Sequence, residues 1–234
     1  NTRAPIDTGY ASATFTGVAT SWSQFTGEVD IAPFESPKLP DWTFLLEDAV
    51  LDFSDDSTPE SVTFPEDYAH PDVDAAGEDG SASPAWTGFY LGRARVSIPE
   101  RFVGGADRDS TQAPAIGVSG LLIDGTGFSG SIFGENILTL ENGRAGSWAM
   151  SLDSIAITFM HDQFESTNLS GELEVPSFDE PLLYNCHIQP GGLYAFSIAL
   201  QDTVTMSAMV ADFSLYENTR IGIEYDEEEE AFHA

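Results

Sequence analysis

The string Asp72-Val73-Asp74-Ala75-Ala76-Gly77-Glu78-Asp79-Gly80 sets carboxylates beside glycines. Those residue types gather oxygen ligands around a hard cation. Asp72, Asp74, Glu78 and Asp79 are therefore the candidate metal ligands, and calcium is the cation that would suit them. The spacing departs from an EF-hand loop, with no third ligand at the fifth position and no closing Glu at the twelfth. A solvated acidic loop explains the same string. Asp124-Gly125-Thr126-Gly127 reads as a turn before it reads as a ligand cluster.

Other routes to chemistry are poorly supplied. Gly127-Phe128-Ser129-Gly130 brings its second Gly one residue too early for a nucleophile elbow. Gly125-Thr126-Gly127 lacks the Lys of a phosphate-binding loop. His70, His161, His187 and His233 are scattered, with neither HxH nor HExxH spacing, and read as surface or loop residues. Any two strand carboxylates could face each other as glycosidases require, but 39 acidic residues make that pairing uninformative. No catalytic residue is assigned, and the chain is read as a non-enzyme without a cofactor other than calcium. Trp22, Trp86, Phe89 and Tyr90 offer rings for stacking on sugars, with Trp86 and Tyr90 the candidate ligand-binding pair. The competing reading places these strand aromatics in the core.

The charge balance is 39 acidic residues against 8 basic, a net charge of −31, and Lys38 is the single lysine. Such a surface repels nucleic acid and anionic lipid, both polyanions. It fits a high-salt or marine habitat, where carboxylates stay hydrated and salt screens their repulsion. Cation binding and a basic protein partner are the other two readings. Cys186 stands alone, which excludes an intrachain disulfide and points to a buried structural thiol. No run approaches the roughly 20 apolar residues of a membrane-spanning helix.

These residues must be positioned by strands. Val29, Ile31; Leu46, Ala49, Leu51, Phe53; Val96, Ile98; Ile155, Ile157, Phe159; Leu173, Val175; and Ile221, Ile223, Tyr225 step at or near period two. That spacing puts one side of each run on a core. Gly, Pro, Asn and Asp punctuate the runs at short intervals. Trp42 to Leu51 partly fits a helical period, but its second copy ends in the β-rich Ile155-Ala156-Ile157-Thr158-Phe159, so both copies are expected to be strands. Residues 54–85, rich in Asp, Glu, Pro and Ser around isolated Val62, Phe64 and Tyr68, read as a long acidic loop.

Two modules recur. Phe25-Thr26-Gly27-Glu28-Val29-Asp30-Ile31-Ala32-Pro33 matches Leu169-Ser170-Gly171-Glu172-Leu173-Glu174-Val175-Pro176. Shorter forms stand at Phe15-Thr16-Gly17-Val18, Val118-Ser119-Gly120-Leu121 and Phe128-Ser129-Gly130-Ser131-Ile132. Trp42 to Phe53 aligns without gaps to Trp148 to Phe159. Gly27 and Gly171 are expected to allow a bulge or close approach near a strand start, and Pro33 and Pro176 to stop the ladder. Trp42 and Trp148 are expected to anchor a core layer. The implied fold is all-β, a repetitive stacked-strand architecture, β-solenoid-like or an elongated β-sandwich, with residues 1–234 one elongated segment. Both ends read as cuts in a longer chain.

The acidic strand ending Leu51-Asp52-Phe53-Ser54-Asp55, then Phe64-Pro65, Trp86-Thr87-Gly88-Phe89-Tyr90 and Val96-Ser97-Ile98-Pro99, resembles very large β-repeat proteins of Bacteroidetes. Ile123-Asp124, Gly127 to Gly130 and the Trp148 module extend the resemblance across roughly residues 25–225. It implies a module of a giant protein, extracellular or cell-surface, some relatives of which accompany extracellular contractile injection systems. The expected role is a non-enzymatic scaffold contacting neighbouring segments of the same chain or other copies. The alternatives are a calcium- or carbohydrate-dependent adhesin with a protein or glycan partner, and part of an injection-system cargo or toxin.

Overall fold

The computed structural model describes residues 13–21, 24–36, 38–54, 58–66, 68, 85–99, 113–176, 178–201, 203–208, 211–217, 219–226 and 231–233. Every regular element among them is a strand. In chain order these are β1 (Ala13–Ser21), β2 (Gln24–Ser36), β3 (Leu39–Asp52), β4 (Gly88–Ser97), β5 (Ala115–Asp124) and β6 (Gly127–Leu138). There follow β7 (Arg144–Ala145), β8 (Trp148–Ala149), β9 (Leu152–Met160), β10 (Gln163–Leu173) and β11 (Leu182–Gln189). The chain continues with β12 (Leu193–Ala199), β13 (Val204–Ala208), β14 (Ala211–Leu215), β15 (Arg220–Asp226) and β16 (Ala231–His233).

One open antiparallel sheet takes the order β1-β2-β3-β4-β5-β6-β9-β10-β11-β12-β15-β16. The pairs β7–β8 and β13–β14 form separate two-stranded sheets. The all-β class read from the alternating pattern holds, and the stacked strands take the form of a meander in chain order. Trp42 to Leu51 lies wholly within β3, so the β reading of that stretch is right.

Packing divides the chain into two compact units. The first comprises Asn1–Ile98, Ile116–Ile132 and Thr158–Phe164; the second comprises Pro99–Ala115, Phe133–Ile157 and Glu165–Ala234.

In the first unit, register pairs Thr26 with Asp52, Glu28 with Val50, and Val50 with Tyr90. Alternation therefore puts Thr26, Glu28, Val50, Asp52 and Tyr90 on one face. The described part of the acidic loop crosses this face without forming a strand. Val50, Val62, Trp86, Tyr90 and Leu122 make the buried cluster, with Phe64 and Tyr68 packed against it. The three apolar residues that look isolated in the sequence thus serve as the second layer. The described residues of this strap are tied down, with the Trp86 backbone N–H donating to Thr58 Oγ1 at 2.9 Å and Ser61 Oγ to Glu28 at 3.1 Å.

Four of the glycine modules meet in pairs across hairpins, and Gly171 faces Tyr184 instead. Gly17 pairs with Gly27 in β1–β2, and the rings of Phe15 and Phe25 lie over them, with centroids 6.5 Å apart. An aromatic covering a cross-strand glycine restores the apolar contact that the glycine lacks. Gly120 and Gly130, on β5 and β6, both have positive φ, 58° and 137°. A Cβ on Gly130 would stand 2.8 Å from Gly120 O and 2.9 Å from Leu121 Cα.

These glycines sit inside strands, not at their starts, because the close approach happens mid-ladder. Pro33 likewise lies within β2, where a register irregularity between Ile31 and Phe34 accommodates it. Only Pro176 falls beyond its strand, since β10 ends at Leu173.

The two Trp modules differ despite their gap-free alignment. Trp42 to Asp52 runs as one strand because Asp48, at φ 51°, takes up the extra residue between Leu46 and Ala49. Trp148 instead pairs with Ala145 in the small β7–β8 sheet, and Met150 and Ser151 interrupt the run before β9. Ser151 is held by the second unit's own strands. Its Oγ accepts from Glu172 N at 2.8 Å, and its carbonyl accepts from Tyr184 OH at 2.7 Å. The core-anchor expectation fails for Trp148, which is 42% exposed, whereas Trp42 is half-buried. Phe53 is exposed, while Phe159 contacts Phe128 and Phe164.

A methyl at Gly130 must move backbone atoms and adopt a φ that only glycine takes readily. Gly130→Ala should lower unfolding free energy by about 2 kcal/mol or more. Gly125→Ala, where a Cβ meets nothing within 4 Å, should change it by less than about 0.5 kcal/mol. Urea denaturation of the two variants compares them directly.

Candidate functional site

The densest polar constellation in the first unit forms where β5 ends. Asp124 Oδ1 accepts from Thr126 N at 2.8 Å and Thr126 Oγ1 at 2.6 Å. Asp124 Oδ2 accepts from Trp86 Nε1 at 2.8 Å and from Tyr68 OH. A carboxylate offers about four lone-pair positions, and all four are taken. The local cause is a two-residue turn, Gly125-Thr126, between β5 and β6. It returns the Thr backbone and hydroxyl to the Asp side chain in an Asx-type cap.

The cap continues into the next hairpin. Thr126 Oγ1 lies 2.6 Å from His161 Nδ1. Since the hydroxyl proton goes to Asp124, its oxygen accepts from His161 Nδ1–H. Nε2 is buried without a hydrogen-bond partner among the described residues. His161 and Asp162 both have positive φ, 49° and 64°, as a two-residue hairpin turn between β9 and β10 requires. Asp162 exchanges hydrogen bonds with Phe128, its N–H donating to Phe128 O at 2.9 Å and its Oδ1 accepting from Phe128 N at 2.8 Å. Rings of Trp86, Phe64, Tyr68 and His161 follow one another at 6.1, 5.1 and 5.0 Å between centroids.

Asp52 closes β3 in a similar manner. Its Oδ1 accepts from Thr26 Oγ1 at 2.7 Å and from Ser54 N at 3.0 Å, with the residue wholly buried. Both carboxylates are acceptors tied to strand ends. With every lone pair of Asp124 engaged, it has no position from which to take a substrate proton.

The predicted site residues fare unevenly. Asp72, Asp74, Glu78 and Asp79 lie outside the described residues, as do Trp22 and His70. Among the described residues no group of three or more His, Cys, Asp or Glu could hold a metal ion. Trp86 is 0% and Tyr90 5% exposed, so they form core and present no open ring face to a sugar. Asp124 to Gly127 is the turn expected of it.

His161, read as a surface or loop residue, is a half-buried member of the Asp124 network. The available signal was an Asp-x-Thr at one strand end and a His-Asp pair between two period-two runs. Cys186 lies on β11 and is half-buried; burial pushes its thiol pKa up. Tyr184 is raised by burial first, then by Asp153 and Cys186.

No protein-family model, curated protein or solved structure matches the chain. No helix among the described residues is long and apolar enough to cross a membrane.

Asp124→Asn replaces two acceptor positions with N–H donors facing Trp86 and Tyr68, and removes the charge assistance. It should cost about 2–3 kcal/mol of stability, and Thr126→Val about 1 kcal/mol, measured by thermal and urea unfolding. For Cys186, a raised pKa means less thiolate at any given pH. The pH–rate profile for iodoacetamide should therefore lie at higher pH in the folded chain than in urea. Coincident profiles would contradict the burial account.

Proposed function

We propose that this chain is a non-enzymatic structural segment, a β-scaffold module of a large extracellular or particle-associated protein. The observation that supports the reading best is the saturated Asp124 carboxylate. The most concentrated chemistry in the first unit is consumed in tying a strap and two hairpin turns together, which is what a rigid framework needs and a catalyst does not. The chain-order meander adds support, because each strand is fixed by its sequence neighbours and such a sheet extends by adding hairpins. The carboxylate-rich surface keeps a framework of this kind hydrated in salt.

Rigidity is the testable property. In a Cys186→Ser background, spin labels at Thr14→Cys and Ile132→Cys, both exposed positions of the first unit, should give a narrow distance distribution by pulsed electron resonance. A broad distribution would contradict a scaffold. So would turnover of ester, phosphate, glycoside or peptide reporters that disappears in Asp124→Asn.

A further inference from the structure

One face of the second unit is built unlike the rest of the molecule. Register aligns Ser170, Asn185, Ser197 and Gly222 across β10, β11, β12 and β15. Two residues along, it aligns Asn168, His187, Ala195 and Glu224. Because alternate residues point to opposite faces, both rows share one face. Side-chain size falls across the strands, from Asn185 to Ser197 to Gly222 and from His187 to Ala195. A depression of about 610 Å³ results. Between the rows run Leu169, Cys186, Phe196 and Ile223, whose side chains point to the other face and whose backbone forms the floor.

The lining chemistry is specific. It offers hydroxyls, amides and an imidazole, with Glu224 the one carboxylate and no Lys or Arg. Ser154 Oγ meets Ser170 Oγ at 2.6 Å, and His187 Nδ1 meets Asn168 Oδ1 at 2.6 Å. These contacts hold polar groups in place at the rim. An anion finds no cation here in a chain of net charge −31. An apolar ligand finds hydrogen-bonding groups that it would leave unpaired. A peptide recognised through its main chain needs a free strand edge, but β11 and β12 are paired on both sides. The hydroxyls, amides and imidazole of the lining suit a neutral ligand dense in groups that both donate and accept. The volume lies in the range of roughly 300–1,000 Å³ typical of ligand sites.

We infer that the trough over β10, β11, β12 and β15 is a binding site for a neutral saccharide. The site is independent of the scaffold role and would give such a module a glycan to hold. It does not use Trp86 or Tyr90.

Gly222 provides the test, because a Cβ there meets nothing nearer than 3.9 Å and no positive φ is involved. Gly222→Leu should fold normally by circular dichroism while filling the floor. Calorimetric titration of the 234-residue chain would use cello-, laminari-, xylo-, manno- and maltohexaose. An alginate hexasaccharide and a neutral Ser/Asn-rich dodecapeptide serve as comparators. At least one neutral hexasaccharide should bind, and Gly222→Leu and Asn185→Ala should each weaken it tenfold or more. Ile221→Val, exposed on the opposite face and outside the trough, should leave binding unchanged. No binding at millimolar concentration, binding undiminished by Gly222→Leu, or preference for the alginate or the peptide would each overturn the assignment.

Discussion

The carboxylate of Asp124 is the point on which the first unit's arrangement depends. A single antiparallel layer has two faces, and a face rich in Val, Leu and Tyr must be covered to gain from burial. Here the described part of the cover is a strap that forms no strand. Such a strap keeps its place only if its ends and its polar groups are satisfied. Asp124 does this for Trp86, Tyr68 and Thr126 together, and through Thr126 it reaches His161. A charged acceptor in a partly buried position strengthens each of these bonds relative to water. The aromatic packing of Trp86, Phe64 and Tyr68 and the polar anchoring therefore support one another.

The repeated modules acquire a physical meaning from the same constraint. Glycines placed opposite one another let strands approach closely, and the phenylalanines beside them return the lost apolar contact. The Gly17–Gly27 pair and its two rings do this in β1–β2. Gly120 and Gly130 achieve the approach with positive φ. Four of the glycine modules are thus partners within hairpins, in addition to being copies along the chain, while Gly171 faces Tyr184. The second unit uses small residues differently. There Ala195, Ser197 and Gly222 leave one face hollow instead of being covered by rings.

Strands were legible because period two is a local property, and most of the residues that step by two lie in ladders. Even the irregular step from Leu46 to Ala49 has its cause in the bulged backbone of Asp48. The strap was not legible, because Val62, Phe64 and Tyr68 have no period and find their partners far along the chain. The same holds for His161, 35 residues from Thr126. Aligned strings also diverged. The Trp42 module stays in one strand, while the Trp148 module breaks where Ser151 is captured by Glu172 and Tyr184. Long-range partners decided that, and no window of sequence contains them. The trough was equally hidden, since its rows exist only once four strands are in register.

The central claim is that Asp124 makes the strap and the two hairpin turns a single cooperative structure. Native-state hydrogen exchange tests it most directly, by comparing the amides of Trp86, Thr126, Phe128 and His161 with those of β4 and β5. The account predicts that these amides open with nearly the same free energy as the two strands, and that Asp124→Asn lowers all of them together. Strap and turn amides that exchange at free-chain rates while β4 and β5 stay protected would contradict it.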